Sequence, residues 1–390
     1  MTRKSPIAAI TGLGFSEMSR SYVGSSRQLA VNAVRTAVGD AGLKKDQIDG
    51  LLINRSPVAP SETLDLKLQD ELGLRDLKLL SLIDAEGSSA AQMIQYAALA
   101  VHAGMATHVA CVFADVPLMP GVSAGDAFAI TTNLFCMPGQ EAHYGLFGAI
   151  GPYGLSCRRH MARFGTTEQH LGSVALSSRA WAQKNPKAFL RKSLTMEAYL
   201  ASPWIAEPFR LLDCAYPVNG AVAVVVSRHD HAPGAQPGVF IHGMGQGHAG
   251  NPNRSGFEPE VMTGARIAGE GAYAMAGISP QDIDQVQLYD AFTYTCIVKL
   301  EDYGFCKKGE GGPFVADGHT APGGSLPMNT SGGQLSGYYL QGMTPISEAV
   351  IQARGHGGER QVKNDLVFVC GNGGRMEYHT CFVLSPHPSL

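Results

Sequence analysis

The sequence predicts a layered α/β protein built from two homologous halves, and three observations carry that prediction. Short apolar runs alternate with longer stretches of helical spacing, one pattern of thirteen residues occurs twice, and both copies fall at the same point in the alternation. Ile7 to Gly14 is apolar enough for a buried strand, and Arg27 to Val38 follows with Leu29, Ala30, Ala33, Val34 and Val38 on one helical face. Leu51–Asn54 then reads as strand, Glu62–Leu72 as helix, Lys78–Asp84 as strand, Ser88–Gly104 as helix and His108–Asp115 as strand.

From about 117 to 208 the alternation stops. Helices are predicted there at Tyr153–Arg163 and Thr167–Gln183, and so long a connection is expected to cap a site. Strands resume at Ala221–Ser227, Val239–Met244 and Val286–Leu288, with a helix at Pro259–Met275 between the last two. Pro345–Arg354, Asp365–Val369 and Tyr378–Ser385 complete the chain as helix, strand and strand.

The repeated pattern is AGLKKDQIDGLLI at Ala41–Ile53 and AGISPQDIDQVQL at Ala276–Leu288. Each copy closes a helix at a glycine, turns, and launches a core strand, so the halves are assigned as 1–232, including the insertion, and 233–390.

Composition narrows the classes. A chain of 390 residues, 45% hydrophobic and 16% charged, buries a large core rather than remaining disordered. A net charge of -3, with no basic run interleaved with aromatics, gives no reason to expect nucleic acid. Eight scattered cysteines, without CxxC or metal-ligand spacing, read as reduced thiols. The apolar stretch at 7–15 is too short and glycine-broken for a signal or a membrane span, so a cytoplasmic protein is expected.

Five longer phrases carry a family likeness: RRHMARFGTTEQHL (158–171), LASPWIAEPFRLLDCAYPVNGAVAVVV (200–226), YDAFTYTCIVKLEDYGFCKKGEGGPFV (289–315), NTSGGQLSGYY (329–339) and CGNGG (370–374). Together they resemble the thiolase superfamily, specifically its sterol-carrier type, over nearly the whole chain. That resemblance implies a five-layer α-β-α-β-α sandwich with the site between the halves, and a homodimer as the usual assembly.

A thiolase of this kind carries a cysteine nucleophile at a strand-to-helix turn, where the helix N-terminus activates the thiol. Here the matching stretch is DAEGSSAAQ (84–92), with Glu86 where the cysteine would stand. Ser88 and Ser89 lack an evident histidine and read as caps of the helix rather than as nucleophiles. Glu86 has two readings: satisfied by the helix terminus, or facing substrate. In YDAFTY, Asp290 stands near the family's asparagine position and Tyr294 follows a turn later. Counting from Asn329, Gly332, Gly333 and Ser336 puts Tyr339 at the histidine position. Two tyrosines in these loops match the nucleophile-lacking aldolases that cleave steroid side chains.

The function implied is retro-aldol cleavage of a β-hydroxyacyl-CoA, with Tyr294 as base and Tyr339 as proton donor, or the reverse. Tyr289 and Tyr338 read as fillers of core space. A phenol that ionises near ~10 in water would need a nearby positive field to act as base, and spacing alone identifies none. In CGNGG, Cys370 is retained where thiolases keep a base, and it reads either as that base or as a small apolar filler; Asn372 and Gly373 are candidates to hold the thioester oxygen, with Asn329 in the same role. His143, His160 and His379 read as structural, while Arg158 and Arg159 meet either CoA phosphates or solvent. No metal and no cofactor is called for beyond the CoA of the substrate. The resemblance also implies a small OB-fold, zinc-ribbon partner that holds the CoA. Two other readings stay open: an acyltransferase using Cys370, and a non-catalytic acyl-CoA-binding protein.

Overall fold

Side chains that alternate along each strand sort this protein into layers. The computed structural model describes residues 5–57, 64–122, 127–128, 143–146, 148–231, 235–249 and 262–390. Its strands are β1 (Ala8–Phe15), β2 (Gly50–Asn54), β3 (Leu79–Ile83), β4 (His108–Asp115), β5 (Trp204–Ala206), β6 (Phe209–Arg210), β7 (Gly220–Ser227), β8 (Val239–His248), β9 (Gln285–Gln287), β10 (Val367–Gly373) and β11 (Tyr378–Ser385). Its helices are α1 (Ser26–Asp40), α2 (Leu68–Leu72), α3 (Ser89–His102), α4 (Ile150–Phe164), α5 (Glu168–Gln183), α6 (Met196–Leu200), α7 (Ala265–Ala276), α8 (Thr293–Asp302), α9 (Gly311–Ala316) and α10 (Met343–Ala353).

Nine strands form one sheet in the order β3-β2-β4-β7-β1-β8-β11-β10-β9. Outward from the β1–β8 junction the two sides repeat each other. β1 pairs antiparallel with β7, β7 antiparallel with β4 and β4 parallel with β2; β8, β11, β10 and β9 follow the same rule. The repeated sequence pattern occupies equivalent places, leaving α1 for β2 and leaving α7 for β9. Gly42 and Gly277 take up the left-handed backbone, at φ of 70 and 77°, that turns the chain away from each helix.

Residues of alternate parity face different cores. Cys111 and Phe113 of β4, Val222 and Val224 of β7, Val369 of β10 and Phe382 of β11 meet α3 and α10 in a central core. Val112 and Ala223 point the other way, onto α1, and Phe368 and Val383 point onto α7 and α8. Three helix layers thus enclose the two halves of this one sheet, the five layers expected, because a period of two sends adjacent residues to opposite faces.

A second internal echo escaped the sequence reading. On β1, a Cβ at Gly12 or Gly14 would strike the carbonyls of Ala37 and Ala33 on α1. On β8, one at Gly243 or Gly245 would strike those of Ala272 and Ala268 on α7. In both halves glycines let the central strand press directly on its outer helix.

The helix expected over Glu62–Leu72 is Leu68–Leu72 among the described residues, and the expected start of the Pro259–Met275 helix and the 232/233 division lie outside them. Part of the insertion is core rather than cover: Cys157, Leu171, Val174 and Tyr199 pack with α8 in the second outer core. Among the described residues no helix is long and apolar enough to cross a membrane.

Candidate active site

Four segments meet where β3, β9 and β10 end: the turn from β3 into α3, the turn from β9 into α8, the loop at 329–339, and the turn between β10 and β11. The first is a tight corner. Glu86 adopts φ of 51°, and a Cβ on the next residue, Gly87, would fall on the Asn372 carbonyl and on the Tyr289 ring. Only glycine fits there. The two serines tie the corner down: the Ser88 hydroxyl bonds Thr380 Oγ1 at 2.7 Å, and Ser89 Oγ accepts the Ala85 amide at 2.6 Å.

Against this corner lies a cluster of phenols. The hydroxyls of Tyr289 and Tyr339 meet at 3.2 Å, with the rings edge to face at 6.5 Å between centroids. Phe128 packs on the Tyr339 ring at 5.6 Å. From α4, the Tyr153 hydroxyl donates to the Gly374 carbonyl at 3.0 Å and accepts from Asn372 Nδ2 at 2.6 Å. Burial pushes all three phenols above the ordinary tyrosine value, and Glu86 adds to each shift through its charge. The second oxygen of Glu86 accepts the Gly374 amide at 2.8 Å, while its surroundings push its own carboxyl up.

Asp290 holds the third segment in shape. Its carboxylate accepts the Gln334 amide at 2.9 Å and the Leu335 amide at 3.4 Å, and it occupies the space a side chain at Gly333 would need. Burial raises this carboxyl to about 6, with the backbone amides and Lys299 working in the opposite direction. Asn329 Oδ1 accepts the Leu288 amide at 2.6 Å, so its carbonyl oxygen joins the loop to the strand end.

Tyr294 goes elsewhere. It is fully buried in the second outer core, with its hydroxyl on Ser156 Oγ at 3.0 Å and its ring against His160 at 5.6 Å. The expected convergence of Tyr294 with Tyr339 is therefore replaced by that of Tyr289 with Tyr339. Tyr289 lies in the loop just past β9, before the helix begins, with its ring end against Gly87 and Tyr339. Tyr294 lies in the first turn of α8, where the helical direction carries it outward.

Cys370 lies behind the cluster, buried among the residues of the second outer core. Burial pushes its thiol up, with the charge of Lys299 pulling in the opposite direction. Asn372 and Gly373 stand in the β10–β11 ladder opposite His379 and Tyr378, and among the described residues the buried Asn372 Oδ1 has no hydrogen-bond partner. His160 bonds Thr166 and Glu301, and His379 bonds the Met376 carbonyl, both as structural histidines. Arg158 pairs with Glu207 at 3.4 Å on the surface. Among the described residues, no group of three His, Cys, Asp or Glu side chains is arranged to hold a metal.

Sequence reasoning missed three residues here. Tyr289 reads as filler in the sequence, yet it immediately follows a strand and its hydroxyl meets that of Tyr339. Tyr153 comes from the insertion and carries no local signal. Lys299 did carry one, as a lone cation within the apolar run CIVKL of α8.

The chain is similar to several known proteins. A family profile described as thiolase C-terminal domain-like matches residues 249–386. A steroid side-chain-cleaving aldolase of Thermomonospora curvata is 35% identical over 370 residues, covering 89% of this chain and 90% of the relative. A 17-hydroxy-3-oxo-4-pregnene-20-carboxyl-CoA lyase of Mycobacterium tuberculosis is 34% identical over 358 residues, covering 89% and 92%. Among solved structures, an Ltp2-ChsH2(DUF35) aldolase superposes with a TM-score of 0.87 at 32% identity over 98% of both chains.

Proposed function

The chain belongs to the thiolase superfamily, in its branch of steroid side-chain-cleaving aldolases, and on that premise we propose that it splits a β-hydroxyacyl-CoA of steroid or related isoprenoid origin. The products are a ketone and a short acyl-CoA. The observation that carries this reading is the pair of phenol hydroxyls at 3.2 Å, set against a corner that presents Glu86 and Gly87 rather than a thiol.

In the proposed cycle Tyr289, as phenolate, takes the proton of the substrate hydroxyl. The carbinol becomes a carbonyl, the Cα–Cβ bond breaks, and its electron pair passes to the α-carbon as the thioester enolate. Tyr339 then gives its proton to that carbon. Tyr289 is left protonated and Tyr339 ionised, and one proton crossing their mutual hydrogen bond restores both. Burial, joined by nearby carboxyls, opposes ionisation of both phenols, so whichever acts as base needs a compensating charge. Asn372, bonded to Tyr153, is placed to steady the thioester oxygen. This chemistry asks for no cofactor beyond the CoA of the substrate.

We also propose that the chain works as a homodimer with a small OB-fold, zinc-ribbon partner that holds the CoA. The solved aldolase is a two-component protein by name, which supports the partner, and the half-buried edge strand β3 supports the dimer.

The test is to incubate the chain and its small partner with a β-hydroxyacyl-CoA whose carbinol carbon lies in a ring. Equal yields of ring ketone and short acyl-CoA, with no acylated protein by intact mass, support the proposal. An acyl-enzyme, or no turnover with the partner present, overturns it.

A further inference from the structure

A base made of a buried phenol needs something to favour its ionised form, and the environment of Tyr289 mostly works against that. Burial raises this phenol, and Tyr339, Glu86 and Asp290 add to the rise. An opposing positive charge is required, and α8 supplies one. Lys299 is fully buried, and its ammonium donates to the Tyr289 carbonyl. The same nitrogen lies 5.5 Å from the centroid of the Tyr289 ring, within the reach of a cation over an aromatic face.

A buried lysine normally has a carboxylate in contact with it. Among the described residues Lys299 forms no ion pair, although its charge reaches Asp290, Cys296, Cys370 and His379. Val298 and Leu300 flank it in sequence on α8, and an apolar residue would fill that face without the penalty of desolvating a cation. What the lysine adds is a charge behind one particular ring.

We propose that Lys299 is the positioning residue that makes Tyr289 a base, clamping its backbone and stabilising the phenolate from behind. The inference rests on the reading of Tyr289 as the base. Lys299 does not touch the substrate: it acts through the ring, while Tyr339, Glu86, Tyr153 and Asp290 face that ring from the other elements.

The test is the pH profile of kcat for Lys299→Gln and Lys299→Arg, measured in the complete complex. An opposite charge at this range moves an ionisation by about 1–2 pH units. Lys299→Gln, which can still donate to the carbonyl, is expected to shift the rising limb upward by about that much. Its kcat near neutrality should fall about 10–100-fold and recover at alkaline pH, with KM little changed and Lys299→Arg restoring the profile. A limb that stays in place, whether the rate is kept or falls equally at every pH, overturns the proposal.

Wild-type protein provides a second measurement if the variants do not fold. In NMR of isotope-labelled tyrosine, Tyr289 should ionise before Tyr153 and Tyr338, and failure to do so counts against Lys299. Tyr289→Phe separates the two ideas. If it keeps wild-type turnover, the base assignment itself is wrong; if it is inactive while the Lys299→Gln limb is unmoved, only the role of Lys299 is lost.

Discussion

Replacing Tyr289 and Tyr294 separately by phenylalanine discriminates between the site expected from spacing and the site seen in the fold. Each substitution removes one hydroxyl and keeps the ring. In Tyr294→Phe the 3.0 Å bond to the half-buried Ser156 is lost. A neutral hydrogen bond contributes about 1 kcal/mol to stability, and water can reach the serine once it is freed. Denaturant unfolding should therefore show a loss of about 1 kcal/mol, while ketone release continues at nearly the wild-type rate. In Tyr289→Phe the lost contact is the 3.2 Å bond to Tyr339 beside the substrate space. Removing a general base lowers turnover by about 10²–10⁴-fold, and stability should change by no more than about 1 kcal/mol. Steady-state ketone release from the complex, together with unfolding curves, measures both quantities. If Tyr294→Phe abolishes turnover and Tyr289→Phe preserves it, the geometric argument is wrong and the expectation from spacing is right.

Gly87→Ala should impair turnover more than folding, because the added methyl must displace the Tyr289 ring or the Asn372 carbonyl; overpacking of this kind costs about 1–3 kcal/mol, and kcat should fall with the phenol pair. Wild-type rates in that variant would show that the corner does not bear on the site. Asp115→Asn tests linkage: burial holds the folded carboxyl at about 7 against 3.8 in the open chain, so the folded state keeps a proton that the unfolded chain releases, and wild-type stability falls as pH rises between those values. Asparagine does not titrate, so the variant should gain on wild type across that window, by as much as about 4 kcal/mol above it, and parallel stability curves would refute the assignment. Cys370→Ser should retain turnover within a few-fold, since Cys370 lies behind the phenol cluster, buried in the second outer core; a loss as large as that of Tyr339→Phe would return Cys370 to the mechanism.

The layers rest on glycine as much as on apolar bulk. Gly12 and Gly14 on β1, with Gly243 and Gly245 on β8, allow helix carbonyls to approach where any side chain would block them. Between the layers, Arg360 and Glu348 form a buried pair at 2.9 Å, with Glu348 also accepting from Thr330 at 2.8 Å; that network fixes α10 to the loop bearing Tyr339.

Spacing along the chain was enough for the alternation of strands and helices and for the duplication, because each follows from local periodicity or from counting within one phrase. Direction was another matter. Tyr289 and Tyr294 are five positions apart, and which one meets Tyr339 depends on where α8 begins and on what it packs against. Asp290 reads as a catalytic carboxylate in sequence, yet its partners are amides more than forty residues away. Tyr153 and Asn372 meet across 219 positions, and Lys299 reaches a carbonyl ten residues back only because α8 lies against the β9 turn. Short-range order is written in residue period, whereas a site assembled from four distant loops exists only once the layers have packed and fixed where each side chain points.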